Sequence, residues 1–578
     1  MSEESEIPVD NGNSKPEEAS VPEPSSDKPA PEASKPEVVP SRRRALGPAS
    51  VVAGLIVFGL LVFLFEPVVA FRFYGLPLIL CISLYVITMV AQALEHTGIV
   101  RLSVGISSLL GFYMIFGAFS SCAVFRADDY RALLGKVEEG SSFEKDIPES
   151  EIGRIRIIDH DVAVRVGQKI LGTQTSLGSQ VTLGEFFIQN VKGKLYWVAP
   201  LLHSGFFKWM DNTDGTPGYV MVSATDELDV QLVQDVGGQP IRIKYQEAAY
   251  FMSALDRHMY FNGLMTVPYT DVVFEIDDEG RPYWVVSIYE RTIGFTGEEA
   301  TGVAVVDPQT GEITLYPIGK APDWVDRIQP REFLERQVAD WGEYVHGYWN
   351  PSHRDQIVPT GEMILIYGDD DHCWWYQGMT STGQDNSTVG FLLIDSHSKS
   401  IKFHKQTGAT EIAAMRSAEG KVQEKGYVSS HPIAYNLGGA PTYVMALKDQ
   451  AGLIKEIAMV SIHDYSIVAV GKDVPDAMRN YLFELNSKGK LVSAEADRSN
   501  TQLQVSGLVD RINSDIQSGN TNWYLMLKDS PGSIFLGVSA ISPELPITRA
   551  GDSIRIGLHH KAVMGVNDII FFDNLNIR

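Results

Sequence analysis

Gly280-Arg281-Pro282-Tyr283-Trp284-Val285 is the stretch from which the fold of the large region is read. A glycine turn leads into a strand carrying adjacent aromatic residues. A second apolar strand follows at Gly302–Asp307, then the turn Asp307-Pro308-Gln309-Thr310-Gly311-Glu312 and a third strand at Ile313–Tyr316. Asp, Pro and Gly in that order are tight-turn chemistry, so the stretch predicts an antiparallel meander. The pattern recurs along the chain. Gly193-Lys194-Leu195-Tyr196-Trp197-Val198 is an earlier copy, Asp371-His372-Cys373-Trp374-Trp375-Tyr376 a degenerate third, and Gly439-Ala440-Pro441-Thr442-Tyr443-Val444 a fourth. Their partner strands are expected at Gly218–Ser223, Val389–Asp395 and Glu456–Ile462.

A helical pattern precedes each copy: Val162–Leu171, Gln246–Arg257, Arg331–Val345 and Glu411–Gln423. In the third, Leu334, Val338, Trp341 and Val345 recur at helical spacing and Pro330 opens the helix. A fifth helix, Val474–Asn486, ends before Gly489, a natural C-cap. Each unit reads as a helix over one face of its own antiparallel sheet, an α+β arrangement. Strand alternation puts Tyr196 and Trp197 on opposite faces, so Trp197, Trp284 and Trp375 are expected at equivalent places in three sheets.

The second copy, with Gly280, Tyr283 and Val285 followed by Val305, Val306, Asp307, Thr310, Gly311 and Glu312, resembles the PepSY domain of bacterial secreted and membrane proteins. The third copy departs from it, reading Asp395-Ser396-His397-Ser398 where the others turn. The resemblance implies non-catalytic work: protein contact, protease restraint or envelope scaffolding. It designates no site residue. Strands read at Leu503–Ile512, Trp523–Lys528, Ser533–Val538, Asp552–Leu558 and Ile569–Ile577 suit a small β-barrel, and this layout resembles an OB-fold. With six basic against seven acidic residues between 501 and 578, it lacks the positive groove that single-stranded nucleic acid needs. The whole layout resembles that of bacterial membrane proteins with a large extracytoplasmic portion.

The first 41 residues hold ten acidic residues, three lysines, eight prolines and no aromatic residue. Such a segment buries too little apolar area to offset its ordering entropy, and reads as a disordered spacer. Arg42, Arg43 and Arg44 then precede three apolar runs, Val51–Phe71, Phe73–Leu94 and Leu102–Phe125, each long enough to cross a bilayer as a helix. The arginines favour a cytoplasmic N-terminus, and three spans then place residues 126–578 outside. Cys81 and Cys122 fall inside spans, leaving Cys373 without an intrachain partner in the large region and most simply buried beside Trp374.

The 578 residues carry 48 basic against 72 acidic side chains, a net charge of −24, which repels nucleic acid. Three cysteines support neither a disulfide framework nor a cysteine-built zinc site. No phosphate-cradling loop, His-Glu-x-x-His, Gly-x-Ser-x-Gly or Cys-x-x-Cys occurs. Asp369-Asp370-Asp371-His372-Cys373 gathers ligand-type side chains but falls at an expected turn. Met210–Gly215 and Glu275–Gly280 partly echo a calcium loop, yet neither has the closing glutamate. The aromatic and histidine cluster His346–His353 reads as a core-packing loop, and Ser417–Lys421 as a solvated helical face.

The chain thus divides into an acidic Pro-rich tail (1–45), a three-helix transmembrane region (46–125, with spans near 50–71, 73–94 and 102–125), four units (126–240, 241–325, 326–405 and 406–490) and a small β-barrel (500–578). The expected function is that of a non-enzymatic, membrane-anchored, extracytoplasmic binding or scaffolding protein of the bacterial envelope. Its partners are the bilayer, through three spans, and another envelope protein; nucleic acid, cofactors and metals are not called for. The alternatives are a membrane-bound hydrolase with a dispersed active site and a transporter or channel component.

Overall fold

A computed structural model describes residues 47–140, 143, 147, 149–368, 372–383, 387–488, 503–517, 520–530, 532–539, 541–558, 565–569 and 571–577. The tail, the Asp369–Asp371 run and Gly489 lie outside the described residues. The remainder is α+β. Helices α1 (Gly47–Phe65), α2 (Gly75–Ala93), α3 (Thr97–Ser120) and α4 (Ala123–Leu133) come first, and five larger, mainly antiparallel sheets follow.

Among the described residues two helices, not three, are long and apolar enough to cross a membrane: α2 and α3. The apolar part of α1 is shorter, Ala49–Phe65, because the helix stops where the expected first span continues. Pro67 cannot extend the backbone ladder, and Glu66 takes a positive φ of 47° to turn the chain away. The third apolar run also ends early, at Ser120, so Cys122 lies beyond α3 rather than inside it.

The first four sheets are meanders in sequence order. Their longest central strands are Lys194–His203, Pro282–Ile293, Cys373–Ser381 and Ala440–Lys448. Trp197 faces Ile188 and Val222 across its two neighbouring strands, Trp284 faces Phe274 and Val306, and Trp375 faces Leu365 and Ile394. All three tryptophans therefore hold the same register position. Each indole also donates to the backbone just ahead of its unit's helical segment: Trp197 to Ile158 O at 2.8 Å, Trp284 to Tyr245 O at 2.8 Å and Trp375 to Gln329 O at 3.1 Å. The amides there are fixed in turn. Ile157 and Ile158 both donate to Ala224 O, Lys244 and Tyr245 to Pro308 O, and Ile328 and Gln329 to Ser396 O. One carbonyl at the end of a strand thus holds two consecutive N–H groups in each of three units, satisfying buried donors that no ladder reaches. Tyr443 takes the corresponding position in the fourth sheet, with its hydroxyl 3.0 Å from that of Tyr376.

The helices sit largely where expected, at His160–Thr173, Arg331–Glu343, Glu411–Lys421 and Val474–Ser487. The Asp159 side chain caps the first and Thr410 the third. The Gln246–Arg257 helix is not formed. Gln246 is fully buried and bonds His203 N and Thr216 Oγ1, which holds its backbone out of a helix until Leu255. A short helix, Leu255–Met259, and a wider turn, Tyr260–Leu264, take its place. The degenerate third copy keeps the turn of the second. Asp307 and Asp395 each accept amides two and three residues on, and Gly311 (φ 78°) and Lys399 (φ 61°) occupy the same left-handed position. Lys399 offsets its backbone cost by reaching Glu299 at 2.7 Å and Leu133 O at 2.9 Å.

The units contact one another in a closed cycle. Tyr196, Val198, Phe274 and Trp284 share a core between the first and second. Gln337 donates to Glu298 O at 2.8 Å between the second and third. Phe391, Tyr376, Ala414 and Tyr443 join the third to the fourth. Lys448 pairs with Asp159, and Arg156 N donates to Tyr435 Oη at 3.0 Å, which returns the fourth to the first. Val137–Glu139 departs from the expected first unit and pairs in parallel with Ile401–Phe403, at the edge of the third sheet.

In the C-terminal sheet, Leu503–Gln517 is shared. Its first half pairs with Ser553–Leu558 and its second with Asn520–Leu527. Within the expected last strand, Ile569–Ile577, Phe571–Asn574 forms and pairs with Ser553–Leu558, while an additional strand ahead of it, Gly565–Asp568, pairs in parallel with Ser533–Val538. Val509, Leu525, Phe535, Ile554 and Phe572 fill its core.

Trp284 is 1% exposed and its indole bond is internal. Trp284→Ala should cost about 3–5 kcal/mol. Trp284→Phe, which strands the Tyr245 carbonyl, should cost roughly 1–3 kcal/mol. Denaturant midpoints of the full chain in detergent check both. An unchanged midpoint for the alanine variant would contradict the assignment.

Candidate functional site

A buried polar cluster lies where the first three units meet, around the linker that precedes Arg331–Glu343. Asp326, 4% exposed, serves all three units. Its Oδ2 accepts from Asn190 N of the first unit at 2.9 Å and from Tyr367 Oη of the third at 3.0 Å. Its N–H donates to Glu275 Oε2 of the second at 3.1 Å. Its carbonyl accepts from Cys373 Sγ and Ser396 Oγ of the third, both at 2.8 Å. Tyr367 Oη also lies 2.9 Å from Ile188 O, and the Gln189 side chain bonds both backbone groups of Ile276.

Two arginines stand at this junction in corresponding positions, each two residues before the carbonyl that accepts an indole. Arg327 lies over the Phe187 ring at 5.1 Å and Arg156 near the Trp197 ring at 5.7 Å. Burial draws the Arg156 pKa down from its ordinary value. Burial opposes the charge of Arg327 too, but the carboxyls of Asp271, Glu275 and Asp326 hold its pKa up. Glu275, 1% exposed, is pushed up to about 8 by burial first and then by neighbouring Asp326, against the pull of Arg327. Its Oε1 is buried without a hydrogen-bond partner, so no donor stabilises the charged form at that oxygen.

Cys373 is buried, and burial pushes its thiol well above the usual range, so it stays protonated and donates to a carbonyl.

A second constellation joins the second unit to the apolar helices. Arg257 Nε lies 2.9 Å from Glu66 Oε1 and its guanidinium sits 4.4 Å over Phe63. Tyr260 Oη donates to Pro67 O at 2.9 Å, and Val69 N to Met265 O at 2.8 Å. Arg72 and Arg291 exchange guanidinium-to-carbonyl bonds. At the hairpin tip, buried Phe295 stacks on Tyr74 at 4.7 Å, meets Tyr113 edge-on at 5.0 Å and donates its N–H to Ser121 Oγ at 2.7 Å. Gly117 admits the ring, since a Cβ there would lie 2.5 Å from it.

The residues singled out from sequence are dispersed. His372 Nε2 lies 3.3 Å from Asp395 Oδ2, away from the buried Cys373 thiol. Asp277, in the calcium-like Glu275–Gly280 stretch, spends its carboxyl on Glu279 N, Arg281 N and Arg281 Nε. Asn212 closes the Met210–Gly215 loop onto Gly215 O. Among the described residues no group of three or more His, Cys, Asp or Glu side chains is placed to hold a metal ion. The His346–His353 loop does not pack into the core. Trp349 is 78% exposed, and His346 and His353 bond Asp355 and Gln356 on the surface. In Ser417–Lys421, Gly420 and Lys421 are exposed but Ala418 is buried. Asp326, Arg156 and Arg327 match none of the motifs read from the sequence, because they stand singly in the segments ahead of the helices. The available signal was Arg-Ile two residues ahead of the accepting carbonyl region, in Arg156-Ile157-Ile158 and Arg327-Ile328-Gln329. No protein-family model matches the chain, and comparison with curated proteins finds no match, so the PepSY and OB-fold resemblances rest on the residues quoted for them.

Glu275 keeps its proton in the folded state up to about pH 8, whereas the unfolded chain gives it up near 4.5. Between those values the native state binds more protons, so its stabilising share is full below about 4.5 and is lost as pH rises toward 8. Glu275→Gln keeps an acceptor for Asp326 N and should flatten this fall. Denaturation midpoints of both proteins between pH 5 and about 8 check it; parallel curves would contradict it.

Proposed function

We propose that the chain is a non-enzymatic binding or scaffolding protein of the bacterial envelope, held against the membrane by its apolar helices and presenting the four-unit cycle and C-terminal module on the extracytoplasmic side. The observation that carries the anchor is an uncovered apolar surface. α3 leaves Leu109, Phe112, Ile115, Phe116 and Phe119 more than half exposed. Water would penalise such a band strongly, whereas lipid covers it without cost.

The docking of the second unit supports the scaffolding part of this reading. Contacts reach the start of α2 (Arg72, Phe73, Tyr74) and the end of α3 (Gly117, Ser121), so both ends lie on the side of the large region. A hinge between anchor and domain would leave these groups bare. Instead they are spent on aromatic stacking and buried hydrogen bonds, which set the domain at a fixed attitude. Arg101, at the opposite end of α3, favours that opposite side as cytoplasmic. Bilayer and a second envelope protein are the partners in this reading. In the C-terminal module, the 565–574 segment pairs with strands on two sides, which supports an OB-fold-like barrel.

Alkaline carbonate should leave the chain in the membrane, and protease added to intact cells should remove residues 126–578. Phe295→Ala should leave carbonate resistance unchanged but open new cleavage sites in the Arg126–Leu134 segment and the 291–296 hairpin tip. Extraction by carbonate would contradict the anchor. Protection of the large region would invert the orientation, and unchanged cleavage of the Phe295→Ala chain would contradict the fixed dock.

A further inference from the structure

Beside the dock, the first and second units carry an apolar surface that none of the described residues covers. The Phe206–Asp211 helix presents Phe207 (72% exposed) and Met210 (52%). The adjoining 250–252 segment presents Phe251 (57%) and Met252 (48%). Trp209 ties the two together, with its ring 5.6 Å from Tyr250 and 5.8 Å from Phe251, and Phe206 meets Tyr250 edge-on at 5.0 Å. Exposed Lys208 lies among them.

The position of this surface is fixed by Arg257. Its Nη1 donates to Phe251 O at 3.2 Å, while its Nε donates to Phe63 O at 3.3 Å, on the last turn of α1. Phe261 continues the apolar path, with its ring 6.3 Å from that of Phe63. The aromatic surface is therefore continuous with the apolar helices at the end where they meet the large region. Phe251 adds a second observation. It holds a left-handed backbone, φ 53°, a conformation costly for a bulky residue, and the ring so placed is turned outward.

We propose that this surface is an interfacial membrane contact. Phe207, Met210, Phe251 and Met252 enter the boundary between headgroups and acyl chains of the bilayer that α2 and α3 cross, and Trp209 lies at that boundary. Large aromatic and thioether side chains on one face, with a lysine among them, match a surface that is apolar below and anionic above. The contact gives the large region a second foothold away from the helices and so resists its tilting. This inference rests on the membrane-anchored reading.

The test uses the full chain in vesicles of phosphatidylethanolamine and phosphatidylglycerol, with and without lipids brominated near the top of the acyl chain. The difference between the emission of the native chain and that of Trp209→Phe isolates Trp209. Brominated lipid should quench that component about twofold, as for an indole at the interface. The double variant F207D/M252D, with Trp209 retained, should lose the quenching while still resisting carbonate extraction. Carbonate resistance with no quenching of Trp209 would overturn this inference and leave the anchor standing. Extraction by carbonate would instead remove the anchored reading on which it rests. Shielding of Trp209 from aqueous iodide that disappears on dilution, without quenching by brominated lipid, would assign the surface to a second copy of the chain and overturn the inference.

Discussion

Asp326 sits where three sheets would otherwise present unpaired polar groups to one another. Its carboxyl, amide and carbonyl bond Asn190, Tyr367, Glu275, Cys373 and Ser396, so each of the first three units finishes its hydrogen bonding on one residue. A buried polar group left unpaired costs about 1–3 kcal/mol, and several would be left together without this residue. Sheets packed in a cycle need such a joint, because apolar contact alone is non-directional and would let one unit slide on the next. The fourth unit is attached differently, to the third through a shared apolar core and to the first through Lys448, Asp159 and the Tyr435 hydroxyl.

The joint depends on a second device within each unit. A strand-end carbonyl holds two amides of the segment ahead of the helix, and an indole caps the carbonyl that follows. That segment is thereby rigid enough to carry Arg156 in one unit and Asp326 and Arg327 in another. Rigidity then extends outward. The second unit grips the apolar helices through Arg257, Arg291 and Phe295, so a chain of packed elements runs from the junction to those helices.

The sequence made the elements legible where periodicity and turn chemistry agreed. The central strands, three tryptophan registers, four of five helices and the Ser533–Val538 strand follow from alternation and glycine turns. The failures have local physical causes. Gln246–Arg257 has helical spacing, but a buried glutamine side chain bonded to two other strands overrides it. The first apolar run looked long enough to span because composition does not register that Glu66 and Pro67 turn toward the second unit. Aromatic residues at Tyr348 and Trp349 suggested a core and are exposed instead. The junction was out of reach, since Asp326 is one acidic residue in a linker, and only the closed cycle brings Asn190, Glu275 and Tyr367 to it.

The claim that one carboxyl joins separate units is most directly tested by amide hydrogen exchange of the full chain with Asp326→Ala. The account predicts that protection falls together in Phe187–Val191 of the first sheet and Ile364–Tyr367 of the third, while Ala440–Lys448 and Asn520–Leu527 keep theirs. Loss of protection confined to the linker around residue 326, with both distant strands unchanged, would contradict it.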